Sequence, residues 1–211
     1  MTRRGTIPCK YISTEDAYYS GEAAVVIGAG GVVAIPTETS YGLAVDPFNE
    51  EALKRLFDIK LRSLTNPVLV LIDNIDFLPR LVTDIPAPYQ SLIKHYWPGP
   101  LTLIFPALPS LPGLLTAATD TIGIRLSSNA NAAEICRRSG GAITATSANI
   151  SGQRPARSAD DIIEIFKDAI DMVIDGGVLK DAPPSTVVRQ TDGRLILVRE
   201  GAIPFSKIQR L

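Results

Sequence analysis

The side chains best suited to chemistry fall in short polar clusters, each at the end of an apolar run. They are Pro36-Thr37-Glu38-Thr39-Ser40-Tyr41-Gly42, Lys60-Leu61-Arg62, Thr121-Ile122-Gly123-Ile124-Arg125, Thr146-Ser147-Ala148-Asn149-Ile150-Ser151-Gly152 and Ser185-Thr186. Folding hides the apolar runs and leaves their ends at a rim. Hydroxyls, an amide and fixed positive charges gathered there describe a pocket for an anionic, hydrogen-bonding ligand. Glu38 is the one carboxylate in these clusters, and neither cysteine nor histidine joins them. Such a set orients a ligand and neutralises its charge; it is poorly equipped for thiol or strong acid–base chemistry.

Each cluster has more than one reading. Thr121, Gly123 and Arg125 share one face of a strand by the two-residue period, with Ile122, Ile124 and Leu126 on the other. An arginine on a buried sheet needs an anion. That anion is either a nearby carboxylate or a ligand's carboxylate or phosphate, which Gly123 would let approach closely. Lys60 and Arg62 follow a helix, where positive charge complements the dipole or is simply solvated. Ser147, Asn149 and Ser151 leave a strand in an alternating row. They form a turn bonded to its own backbone, or Asn149 reads a base or sugar edge. Thr37, Thr39 and Tyr41 make a similar row, within which Glu38 holds the turn together. His95, the only histidine, sits near a helix end with no cluster of partners, so neither catalysis nor metal binding is expected of it. Gly28, Gly30 and Gly31 precede a strand instead of following one, which makes them a helix C-cap and not a dinucleotide fingerprint. No phosphate loop of the Gly-Lys-Ser/Thr type is present.

The elements that must position these clusters follow from punctuation and period. With 211 residues, 45% of them hydrophobic, the chain can bury one sizeable core. Acidic residues number 22 and basic residues 21, so no whole-protein pull toward nucleic acid or membrane exists. Cys9 and Cys136 fit no metal spacing and read as free thiols of a reduced, cytoplasmic protein. Met1-Thr2-Arg3-Arg4 leads into polar residues and does not resemble a secretory signal, and no stretch approaches membrane-spanning length. A capping box at Ser13–Asp16 predicts a helix over Glu15 to Ile27, and Asn49 caps a second through Lys60. Further helices are expected from about Pro88 to Tyr96, after Asn129 or Asn131, and from Ser158 to near Ile170. Strands are expected at 32–35, 68–72, 101–105, 121–126, 143–146, 172–174, 186–188 and 195–198, the last two joined at Asp192-Gly193. The elements mix without strict alternation. This predicts a mixed α/β protein built on a single twisted sheet with parallel and antiparallel parts, not a doubly wound nucleotide fold.

Taken together and in order, the clusters resemble the YrdC family of threonylcarbamoyl-adenylate synthases. The likeness begins at Gly31-Val32-Val33-Ala34-Ile35-Pro36-Thr37-Glu38-Thr39-Ser40-Tyr41-Gly42-Leu43 and runs through Lys60-Leu61-Arg62, Asn66-Pro67 and Trp97-Pro98-Gly99-Pro100-Leu101-Thr102. It continues at Gly123-Ile124-Arg125, Thr146 to Gly152 and Pro184-Ser185-Thr186-Val187-Val188, and closes at Val198-Arg199-Glu200-Gly201. The first segment and the Thr146 to Gly152 segment are highly specific. The resemblance implies one YrdC-like domain over residues 1–211, with a core from about 15 to 204, and a concave surface lined with positive charge.

It also implies a reaction in which L-threonine, bicarbonate and ATP give threonylcarbamoyl-AMP and pyrophosphate. A partner transferase complex then carries the group to a tRNA adenosine, with a weak direct tRNA contact by this chain. By matching position, threonine is expected at Thr39, Arg125, Ser147 and Ser185. ATP is expected at Lys60, Arg62, Asn66, Thr121, Asn149 and Arg199, with Lys60 and Arg62 as the catalytic pair. Magnesium would enter on the ATP phosphates, with no dedicated carboxylate cage. The chain departs from the family pattern at Ser63, where proline is usual, and at Leu71, where many relatives with the Asn-Pro pattern have histidine. It departs again over Gln153-Arg154-Pro155-Ala156-Arg157, which lacks the usual Ser/Thr-rich continuation, so that one ATP contact is either missing or replaced by Arg154 or Arg157. Two other readings stand beside this one: a paralogue on the same fold with altered or no adenylation activity, and an RNA-binding module, against which balanced charge and the lack of an aromatic-basic stacking motif argue.

Overall fold

A strand that the sequence does not announce opens the fold. In the computed structural model, which describes residues 9–211, Lys10–Ser13 (β1) pairs in parallel with Met172–Asp175. Ser13 Oγ accepts from the Glu15 amide and closes a turn. The helix expected from Glu15 therefore starts only at Tyr19 (α1, Tyr19–Gly28), and the capping box is not formed. The start Met1-Thr2-Arg3-Arg4 lies outside the described residues.

From there the sequence signals hold more closely. Val33–Ile35 (β2) and Gly42–Ala44 (β3) flank the first polar cluster. Glu50–Lys60 (α2) starts where Asn49 Oδ1 accepts from the Ala52 amide at 3.1 Å and buries Leu53, Leu56 and Phe57. Asn49→Ala is expected to cost about 1 kcal/mol, read as a lower urea midpoint at unchanged slope. Val70–Ile72 (β4) precedes a 3-10 turn at Ile75–Arg80. Ala87–Tyr96 (α3) carries Pro88 in its first turn. Leu101–Pro106 (β5), the short Gly113–Thr116 (α4), Thr121–Leu126 (β6) and Ala130–Arg138 (α5, capped by Asn129) follow.

The run expected as one strand at 143–146 is two. Ala142–Thr144 (β7) lies beside β4, and Thr146–Ser147 (β8) lies beside β3. Between them the Ala145 amide donates to Leu69 O at 2.9 Å, and Thr144 Oγ1 accepts from the Val45 amide at 2.9 Å. The chain thus steps from one sheet to another within a single residue. Ala159–Phe166 (α6) begins with a capping box between Ser158 and Asp161, and a 3-10 turn at Lys167–Ala169 replaces its expected last turn. Met172–Asp175 is β9, Thr186–Thr191 and Arg194–Arg199 form the hairpin β10–β11, and Phe205–Ile208 (α7) buries Ile208.

The mixed α/β architecture stands, with a correction: the strands divide between two sheets, not one. Their orders are β1-β9-β2-β3-β8 and β11-β10-β5-β6-β4-β7, each with parallel and antiparallel pairs. One apolar cluster joins them, with Ala34 and Leu43 of the first packed in the same core as Val70, Leu103 and Ile124 of the second. Because β3 meets β8 where the chain crosses between sheets, the ends of the polar clusters converge on that seam.

Candidate functional site

A cavity of about 500 Å³ opens at the seam, within the range of small-molecule sites. Its floor is one face of the six-stranded sheet: Thr102 and Ile104 of β5, Thr121, Gly123 and Arg125 of β6, and Val187 of β10. The two-residue period therefore placed β6 correctly, since Ile122 and Ile124 are fully buried on the opposite side. One wall comes from Thr39, Ser40 and Gly42, another from Thr146 and Ser147, and Arg62, Ser185 and Arg199 complete the rim. Three arginines line the cavity and no carboxylate does.

Arg125 is 2% exposed, and the anion it meets is a nearby carboxylate, that of Glu38. Its Nη1 donates to Thr39 Oγ1 at 3.3 Å and lies 3.2 Å from Glu38 Oε1, while Nε has no partner. Burial lowers its pKa, Glu38 opposes that, and Arg199 adds to it. Arg199 reaches across to Ser185, donating to its carbonyl at 2.9 Å and to its Oγ at 3.0 Å; Ser185 Oγ is 2.8 Å from Thr102 Oγ1. Thr121 Oγ1 is 2.8 Å from Thr119 Oγ1. Arg62 Nη2 donates to Pro67 O at 2.7 Å and its Nε to Asn66 O at 3.2 Å, which curls the 62–67 loop against the cavity. Burial lowers the pKa of both Arg62 and Arg199.

Seven of the ten residues anticipated for ligand contact line this cavity: Thr39, Arg62, Thr121, Arg125, Ser147, Ser185 and Arg199. Lys60, Asn66 and Asn149 do not. Lys60 is 1% exposed under the Ser147–Asn149 turn, where Nζ donates to Ser147 O, to Asn149 O at 2.7 Å and to Asn149 Oδ1 at 3.1 Å. Asn149 also accepts from Ser147 Oγ at 2.7 Å and donates to Gln153 O at 2.6 Å, which fills its side chain. Burial, and then the like charge of Arg62, push Lys60 down to about 7. Three oxygens around one nitrogen pull the other way, because only an ammonium has three N–H groups to give them.

Leu71 lies beside Arg125 in the β4–β6 register but is buried among Ala132, Ile135 and Ile143, and the residues just before β4 that reach the cavity are Pro67, Val68 and Leu69. Thr102 and Thr146 also line it without having been assigned a role; the signal for Thr102 was a hydroxyl inside the apolar run Leu101–Phe105. A smaller cavity of about 280 Å³ shares Thr39, Ser40 and Pro155 with the first and brings Arg154, Arg157 and Lys180 to its edge. Arg157 is partly occupied there, donating to Leu179 O at 2.9 Å.

Gly123 keeps the floor open. A Cβ there would meet only Thr102 Cγ2 at 3.5 Å and Leu69 Cδ1 at 4.0 Å, so the fold has room and the cavity loses it. Gly123→Ala is expected to stabilise the chain by about 0.5 kcal/mol and to weaken ligand binding, checked by paired melting and titration.

Among the described residues no group of three His, Cys, Asp or Glu is placed to hold a metal, and no helix is long and apolar enough to cross a membrane. A family model described as telomere recombination, Sua5/YciO/YrdC, matches residues 25–201. The threonylcarbamoyl-AMP synthase of Pyrococcus abyssi is 37% identical over 90% of this chain and 56% of its own length, and that of Bacillus subtilis is 35% identical over 94% and 57%. The chain thus spans a little over half the length of these relatives. The crystal structure of P. abyssi Sua5 complexed with L-threonine superposes with a TM-score of 0.90 at 34% identity, over 96% of this chain and 60% of that one. The resemblance carried by the polar clusters is borne out across both sheets: the chain belongs to the Sua5/YciO/YrdC family.

Proposed function

We propose that the chain makes threonylcarbamoyl-AMP and pyrophosphate from L-threonine, bicarbonate and ATP. The observation that carries this reading is Arg125, a nearly buried guanidinium with an unpartnered Nε on the floor of a cavity without carboxylates. That is a seat for an amino-acid carboxylate. Thr39, Ser147 and Ser185 stand round it with hydroxyls for threonine's own hydroxyl and amine. Arg62, Thr121 and Arg199 occupy the rest of the rim and suit the polyphosphate and ribose of ATP. Lys60, Asn66 and Asn149 support that rim from outside the cavity, by shaping the 62–67 loop and the Ser147 turn.

The chemistry matches these groups. Threonine's amine and bicarbonate condense to a carbamate with loss of water. A carbamate oxygen then forms a bond to the α-phosphorus as the bond to pyrophosphate breaks. Positioning and charge neutralisation dominate such a step, and no strong general base is needed. Since no carboxylate lines the cavity, magnesium would be held mainly by phosphate oxygens, water and the threonine hydroxyls, and would neutralise phosphate charge.

In this reading the protein works in the cytoplasm. Its product passes to a threonylcarbamoyl transferase complex acting on tRNA, with Arg154, Arg157 and Lys180 as the surface for a weak direct tRNA contact. The test is pyrophosphate release with each substrate omitted in turn. Release only when L-threonine, bicarbonate and ATP are all present supports the reading; release indifferent to threonine or bicarbonate overturns it.

A further inference from the structure

The carboxylate nearest the cavity does not line it. Glu38 pairs with Arg125 through Oε1, and its Oε2 accepts from Ser127 Oγ. Ser127 Oγ in turn accepts from the amide of Asn129 at 3.2 Å, and Asn129 caps α5. The acid is therefore tied, through one hydroxyl, to the start of a helix whose inner face, Ala132, Ile135 and Cys136, is buried. No other carboxylate lies within ion-pair distance of Arg125 among the described residues.

Donor accounting gives this pair its meaning. A guanidinium has five N–H groups, and a carboxylate that met it fork to fork would take two of them. Glu38 does not. Its Oε1 lies near Nη1 without an aligned hydrogen bond, and Arg125 Nε is also left without a partner. Charge is balanced while donors stay free. Arg199 repels Arg125 and burial disfavours its charge, so without Glu38 the guanidinium would keep only its bond to Thr39 Oγ1 and lose the carboxylate that balances it.

We propose that Glu38, anchored by Ser127, is a positioning residue that holds the Arg125 guanidinium on the cavity floor with its donors unspent, ready for the carboxylate of the incoming amino acid. The identity of that amino acid rests on the function proposed above; the positioning does not.

The test uses Glu38→Gln, Ser127→Ala and their combination in the full chain. L-threonine, inorganic phosphate and ATP are titrated separately by calorimetry, with melting curves alongside. Glu38→Gln should weaken L-threonine by about tenfold and Ser127→Ala by about threefold, and the double variant should match Glu38→Gln alone, as expected of residues in one chain of contacts. ATP affinity should not change. In turnover, the threonine KM should rise by a similar factor with kcat at saturating threonine nearly unaltered, which general loosening of the fold would not produce. An L-threonine affinity that is unchanged or tighter in Glu38→Gln overturns the proposal, as does an equal loss for ATP. If the wild type binds phosphate but not threonine, and Glu38→Gln weakens phosphate, the positioning stands and the threonine reading falls. Binding of neither anion by the wild type removes Arg125 as an anion seat and the proposal with it.

Discussion

Replacing Arg125 with alanine is expected to lower threonine-dependent pyrophosphate release by a hundredfold or more. Losing one partner of a desolvated guanidinium–carboxylate contact costs about 3 kcal/mol, and each 1.4 kcal/mol is roughly tenfold. The alanine variant also leaves Glu38 beside an empty space, with its side chain only 15% exposed. Some stability is therefore lost along with activity. Arg125→Lys separates the two effects. It keeps a charge for Glu38, and so most of the melting temperature, but replaces the planar fork with a single ammonium. Activity of the lysine variant should fall at least tenfold with the fold intact. Wild-type turnover by either variant would remove Arg125 from the site.

The second large effect is expected at Lys60. Its ammonium satisfies Ser147 O, Asn149 O and Asn149 Oδ1 beneath the turn that carries Ser147 into the cavity. Lys60→Ala removes three hydrogen bonds, leaves the buried Asn149 O without a partner and opens a void, a loss of about 3 kcal/mol, or roughly 6–12 °C in melting temperature for a chain of this size. Adenylation should fall with it, because Ser147 and Asn149 lose their anchor. The readout is a melting curve paired with pyrophosphate release. If activity vanished while the melting temperature held, Lys60 would be acting on the phosphates directly and not through the turn.

Both predictions rest on features that were partly legible in the sequence. The period-2 run 121–126 put Thr121 and Arg125 on one face, and both lie on the cavity floor. Caps were readable wherever a side chain acts within its own turn, as at Asn49, Asn129 and Ser158. What failed was long-range. Tyr11 and Ile12 become a strand only because β9, some 160 residues later, offers a parallel partner, and this pairing displaced the capping box at Ser13. The split of 143–146 into β7 and β8, and with it the two sheets, depends on Leu69 and Val45 competing for neighbouring backbone groups. At the site, the order of clusters marked the rim but could not tell a ligand-facing lysine from one buried under a turn. Glu38 looked like a turn residue; its tie to Ser127 and Arg125 spans nearly 90 positions and has no local signal.

The most direct measurement is mass spectrometry of the adenylate formed from ATP, L-threonine and carbon-13 bicarbonate. The expected product contains AMP, one threonine and one labelled carbon, and its yield falls at least tenfold in Arg125→Lys. An adenylate of threonine without the labelled carbon, or no adenylate although ATP is bound, would contradict the account.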